Sequence, residues 1–113
     1  MSDSSKSGRV VLREERSKTD IRHLSAGYAA NGDLRIEGQD LGDGVQRIFG
    51  YREYEWGWTI WAADLPKLAE ALGVTSDVLK ALAASYSGDN AANLGAFLED
   101  HGVPFETWSR IGD

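Results

Sequence analysis

Cysteine is missing from this sequence altogether, so it contains no disulfide, no thiol nucleophile and no cysteine-ligated metal. Histidine is nearly missing: His23 and His101 alone could supply the side chain most often used for acid–base catalysis. No apolar run approaches the roughly 18 residues that a membrane span requires. The polar start Met-Ser-Asp-Ser-Ser-Lys-Ser-Gly carries no signal-peptide pattern. With the lack of cysteine, these features lead to the expectation of a cytoplasmic protein that engages no membrane.

Positive charge is also scarce. The 113 residues carry 12 Lys and Arg against 18 Asp and Glu, a net charge of −6. Lys6, Arg9, Arg13, Arg16 and Lys18 all precede Asp20, which leaves the rest of the chain more acidic than the total suggests. Such a balance opposes non-specific binding to nucleic acid, which depends on neutralising phosphates. It suits solubility, or attraction to a basic protein partner.

Aromatic residues, by contrast, are concentrated. Tyr51 to Trp61 reads Tyr-Arg-Glu-Tyr-Glu-Trp-Gly-Trp-Thr-Ile-Trp. At a period of two, Tyr54, Trp56, Trp58 and Ile60 point one way and Glu53, Glu55, Gly57, Thr59 and Trp61 the other, which predicts a strand with one strongly apolar face. Earlier segments are also extended. Val10 to Arg16 predicts an edge strand guarded by charges, and Asp20 to Ala30 a second strand with Leu24, Ala26 and Tyr28 on one side. Asn31-Gly32-Asp33 predicts a hairpin turn into Leu34-Arg35-Ile36-Glu37. Gly38 to Gly44, with three glycines in seven residues, predicts a loop or bulged crossing. Val45 to Phe49 then reads as another extended segment, with Gly50 a bend.

From Asp64 the period changes to 3.6. Asp64 is placed to cap a helix with Pro66 in its first turn and Leu65, Leu68, Ala69 and Leu72 as its apolar stripe, ending at Gly73. Thr75 or Ser76 is expected to cap a second helix, with Val78, Leu79 and Leu82 inward and Gly88 closing it. Asp89 or Asn90 is expected to cap a third, with Leu94, Phe97 and Leu98 inward and Gly102 as terminator. The tail from Val103 to Trp108 restarts with Pro104 and is expected as a short helical turn whose Phe105 and Trp108 pack back. The first eight residues are expected to be a disordered tail, and residues 9–113 a single α+β domain. The expected architecture is a twisted antiparallel sheet from the N-terminal half, covered on one face by three C-terminal helices.

No catalytic signature emerges. Lys67 to Leu82 has the spacing of a helix-turn-helix, but the second helix would offer a groove only Ser76, Asp77, Lys80, Ala83 and Ala84, with nothing suited to reading guanine. Asp33, Glu37, Asp40 and Asp43 are acidic neighbours without the ligand spacing of a calcium loop. Ser25 lacks the glycine that precedes a hydrolase nucleophile. Glu53 and Glu55 lie side by side on one strand face and do not oppose each other across a cleft, as glycosidase carboxylates do. No metal or cofactor is therefore expected.

Gly32-Asp-Leu-Arg-Ile-Glu-Gly-Gln-Asp-Leu-Gly42, Tyr54-Glu-Trp56, Asp64-Leu-Pro-Lys-Leu68 and Phe105-Glu-Thr-Trp-Ser-Arg-Ile-Gly-Asp113 resemble a group of short bacterial proteins with no assigned function. The resemblance implies a single intact domain and brings no catalytic residue with it. The functional expectation is a small, acidic, non-catalytic interaction protein of the immunity or antitoxin kind, using Glu53, Glu55, Trp61, Asp40 and Asp43 against a basic partner. One alternative is a ligand-binding domain or enzyme with a pocket between sheet and helices and His23 as acid–base residue. The other is a DNA-binding regulator, disfavoured by the missing basic footprint.

Overall fold

Segments that alternate at a period of two form strands, and segments with a 3.6-residue stripe form helices. The computed structural model describes residues 8–42 and 53–112. Among them the chain runs β1 (Arg9–Arg16), β2 (Asp20–Tyr28), β3 (Leu34–Gly42), β4 (Glu53–Ile60), a 3-10 turn (Ala62–Asp64), α1 (Leu65–Leu72), α2 (Val78–Ser85), a second 3-10 segment (Gly88–Asn93), α3 (Leu94–Asp100) and β5 (Glu106–Gly112). The strands make one antiparallel sheet in the order β1-β2-β3-β4-β5, and the helices cover one of its faces. The fold is α+β. The extended segment expected at Val45 to Phe49 and the bend at Gly50 lie outside the described residues, as does the expected tail except for Gly8.

The sheet's register determines what faces the helices. Leu34 pairs with Ile60, Ile36 with Trp58 and Gly38 with Trp56, while Leu24 and Ala26 of β2 pair with Gly38 and Ile36. These residues share the covered side, because directly paired residues of an antiparallel ladder point the same way. Leu34, Ile36 and Ile60 are fully buried there against Leu68, Leu82, Leu94 and Leu98 of the helices. Each such side chain contributes about 1.5–3 kcal/mol relative to leaving it in water. β1 is an edge strand, as expected, and its register slips between Val11 and Arg13. The slip accompanies burial of Leu12 to 1% exposure and interrupts the regular edge that another chain could extend.

Three expectations need correction. The glycine-rich stretch is strand as far as Gly42, not a loop from Gly38 onward. Gly38 is there because the Trp56 ring of the neighbouring strand lies against it: a Cβ would come within 2.4 Å of Trp56 Cε2. The C-terminal tail is not a helical turn but β5, paired along β4 from Glu106 opposite Thr59 to Gly112 opposite Glu53. Pro104 stops the helix, and the residues after it alternate at a period of two, so they complete the sheet beyond β4. Phe105 does pack back, its ring 5.6 Å from that of Trp58, but Trp108 lies on the opposite face of the sheet.

The caps are also rearranged. Asp64 makes no side-chain capping bond, and its Oδ1 lies 3.5 Å from Lys67 Nζ. The 3-10 turn leading into α1 is held from elsewhere, by Asp33 Oδ1 accepting from the Ala62 N–H at 2.7 Å. Asn31 sets Asp33 in place, its Oδ1 accepting from the Asp33 N–H at 3.0 Å. Gly73, at φ 76°, closes α1 as expected, with Gly73 N–H and Val74 N–H donating to Glu70 and Ala69 carbonyls. α2 begins after Asp77 and not at a Thr75 or Ser76 cap, and Asp77 adopts a left-handed φ of 57°. Gly88 does not close α2, which ends at Ser85, but opens the second 3-10 segment.

Candidate functional site

Among the described residues the sheet's other face has no helix on it, and its side chains form a connected polar surface. Arg35, Glu37 and Gln39 of β3 alternate with the buried Leu34, Ile36 and Gly38, and so face away from the helices. Their register partners are Ser25 and His23 on β2 and Gly57 and Glu55 on β4. Arg9 reaches across from β1: its Nη1 donates to Ser25 Oγ at 2.7 Å and its Nη2 lies 3.1 Å from Glu37 Oε1. Arg35 Nη2 holds the other Glu37 oxygen at 3.4 Å, so one carboxylate lies between two guanidinium groups. These ion pairs are a third to a half exposed, and each contributes at most about 1 kcal/mol.

β5 adds the aromatic part. Trp108 pairs with Gly57, and its ring lies where a side chain on Gly57 would be, within 2.6 Å of an added Cβ. The Arg35 guanidinium sits 5.4 Å from the centre of the same ring, a cation–π distance. His23, Ser25, Arg35, Glu37, Gln39, Glu55, Trp108 and Ser109 line a hollow of about 610 Å³. Arg35 Nε and Trp108 Nε1 are buried there without a hydrogen-bond partner among the described residues. Unpaired buried donors are unfavourable, and they mark where an incoming acceptor would gain most.

The residues expected from the sequence are divided by this geometry. Glu55 is on the open face, where Gln39 Nε2 donates to its Oε2 at 3.4 Å. Trp61, 48% exposed, follows β4, and its indole N–H donates to Glu106 Oε1 at 3.2 Å. Glu106 pairs with Thr59, a position of the same open face, so Trp61 and Glu55 belong to one surface. Glu53 begins β4, opposite Leu41 and Gly112. Asp40 is on the helix side, paired with Arg22 and Tyr54, and is not brought together with the others. Asp43 lies outside the described residues. Arg35, Glu37 and Trp108 were missed by sequence reasoning. The period-two alternation from Phe105 to Ile111 was the available signal for Trp108.

The acidic neighbours Asp33, Glu37 and Asp40 likewise separate into a cap, an ion pair and a helix-side carboxylate. Among the described residues no three His, Asp or Glu side chains group to hold a metal. His23 lines the open-face hollow, with Nδ1 3.8 Å from Glu14 Oε1. It is therefore absent from the cleft of about 810 Å³ between the sheet and helices α1 and α2, which is lined by Tyr28, Leu65, Asp77, Leu79 and Lys80 among others. Burial, and secondarily the Asp77 carboxylate, push the Tyr28 phenol above its ordinary pKa, which keeps it neutral.

Asp40 lines a second recess, at the end of the sheet where β3 finishes and β4 begins. The recess, of about 770 Å³, is bounded by Arg13, Arg22, Tyr54, Trp56, Trp58 and Thr107, and by Gly57, Trp108 and Ser109. Burial raises the Asp40 carboxyl above its ordinary value of 3.8, while Arg22 and Arg13 pull it back. Arg13 Nε is buried with no hydrogen-bond partner among the described residues, and it forms an ion pair with Glu15, whose Oε2 is 3.6 Å away.

No family model, curated protein or solved structure matches this chain. No helix among the described residues is long and apolar enough to cross a membrane.

Proposed function

We propose that this chain is a small, acidic, non-catalytic interaction protein of the cytoplasm, of the immunity or antitoxin kind, and that a basic protein partner sits on the open face of its sheet. The observation that carries this reading is the composition of that face. Trp61 and Trp108 flank the Arg35–Glu37–Arg9 network, and aromatic residues and arginine are the side chains that dominate protein–protein hot spots. A five-stranded sheet that no helix among the described residues covers on one side offers a broad platform for such contact. Charge on the face itself is mixed, so the long-range attraction comes from the net −6 of the whole chain and the local anchoring from the two tryptophans.

The test begins with capture of the partner using the full chain as bait. Affinities are then measured for Glu55→Lys and Trp61→Ala on the open face and for Glu70→Ala on α1 as a control. Each open-face change is expected to weaken binding by roughly tenfold or more, the scale of a hot-spot residue, with the control unchanged. Full affinity in both open-face variants, or failure to capture any basic protein, overturns the reading.

A further inference from the structure

The sheet ends differently on its two sides. At β1 the register slips between Val11 and Arg13, and Arg13, Glu14, Glu15 and Arg16 follow in succession, so the outward backbone groups are unevenly spaced and flanked by charge. β5, the other edge, has no such slip. Its register along β4 is regular from Glu106 opposite Thr59 to Gly112 opposite Glu53, and among the described residues no strand pairs with its outer side. Every second residue of such an edge points its N–H and C=O away from the sheet, ready to pair with another strand. Glu106, Thr107 and Ser109 are exposed. Trp108 does not stand in the way, because its ring lies back over Gly57 of β4. β5 also begins opposite Thr59, at the end of β4 away from Glu53, where residues 43–52 enter the strand.

The charges of β5 determine which strand fits. Its two charged residues, Glu106 and Arg110, stand two positions before and two positions after Trp108. An antiparallel copy of β5 set with Trp108 opposite Trp108 therefore brings each Glu106 opposite Arg110 of the other copy, and each Thr107 opposite Ser109. With Ser109 opposite itself, Glu106 would face Gly112 and neither charge would be matched. A parallel copy in register would set Glu beside Glu and Arg beside Arg, so the spacing favours the antiparallel arrangement. We propose that β5 is the docking edge for a second copy of this chain, which joins the two sheets into one about a two-fold axis at Trp108. Glu106 Oε1 accepts from the Trp61 indole N–H, and a carboxylate has a second oxygen for the cross-strand pair. Seven residues of edge make a small interface, so the dimer is weak, with a dissociation constant on the order of 100 μM. The proposal does not rest on the open-face reading, since the dimer forms with or without a basic partner.

Sedimentation equilibrium of the full chain is measured from roughly tenfold below to tenfold above that constant. The mass should rise from that of the 12.3 kDa monomer toward that of a dimer. Glu106→Arg sets Arg opposite Arg, and Arg110→Glu sets Glu opposite Glu, so each variant alone should dimerise roughly tenfold more weakly. Mixing the two variants restores opposite charges at both positions, and the mixture should associate as the wild type does. That recovery also shows that neither change has unfolded the chain. In the wild type, amide exchange should slow with rising concentration in β5 and not in β1. The proposal is overturned by a monomer throughout the range, by a mixture that associates no better than its components, or by protection confined to β1 or the helices.

Discussion

Two tryptophans show how differently the two faces of one sheet are built. Trp56 and Trp108 each lie against a glycine of the adjacent strand, Gly38 and Gly57, yet on opposite sides. Trp56 has aromatic company, with the Trp58 ring at 5.4 Å and Trp58 in turn against Phe105. Trp108 has a guanidinium for a neighbour and a buried N–H with no partner among the described residues. On the helix side apolar area removed from water stabilises the fold. On the open side the network of arginines and glutamates adds little stability for the number of side chains it orders. A surface that is ordered without being needed for folding is suited to recognition.

The sharpest way to break this comparison is along β3, where neighbours face opposite ways. Ile36→Ala should lower the unfolding free energy by about 2–5 kcal/mol, through lost transfer energy and a cavity. Glu37→Ala should change it by about 1 kcal/mol or less. Urea denaturation of the two variants measures both. An equal loss at Glu37 would mean that the open-face network is structural.

The glycines provide the next test. Gly57→Ala should destabilise by about 1–3 kcal/mol, because the added methyl meets the Ile36 carbonyl oxygen at 2.5 Å as well as the Trp108 ring, and backbone cannot step aside. The atoms nearest to the methyl of Gly38→Ala are ring atoms of Trp56, and that ring borders an open recess into which it can move. Its thermal midpoint should fall less than that of Gly57→Ala, with a change in Trp56 fluorescence. The reverse order would show that Trp56 is the more tightly held of the two.

The smallest effect is expected at Asp40. Its pKa is raised in the folded state by burial, so the folded protein holds this proton more tightly than the unfolded chain. The favourable contribution is therefore full below the ordinary carboxylate value of 3.8 and is lost as pH rises through the shifted value. Asp40→Asn should match the wild type in strongly acid solution and become the more stable of the two toward neutrality. Thermal midpoints across that range decide it, and a wild type more stable at neutral pH would show that Arg13 and Arg22 outweigh the burial.

Much of this was legible in the residues. The assignment of Tyr54, Trp56, Trp58 and Ile60 to one face and Glu55, Gly57 and Thr59 to the other follows from the pleat alone, and the three helical stripes follow from the 3.6-residue turn. Gly38 and Gly42 misled, because a glycine in a strand reads as a break until the ring that requires it is seen across the ladder. β5 was obscured by the preceding Pro104 and by its partner lying before all three helices. The proposed surface was half legible: Glu55 and Trp61 could be named, while Arg35, Glu37 and Trp108 could not.

By itself, then, the sequence determined the class of each described segment apart from the glycine-rich strand end and the tail, and which side of β4 would be buried, since both depend on the geometry of one short stretch of backbone. Only the tertiary structure decided that Arg9, Arg35, Glu37 and Trp108 meet, that Asp33 caps the turn before α1, and that Asp40 and Glu55 stand on opposite faces. Those outcomes depend on strand order and register, which are settled by burying all the apolar faces at once. No local pattern carries that information.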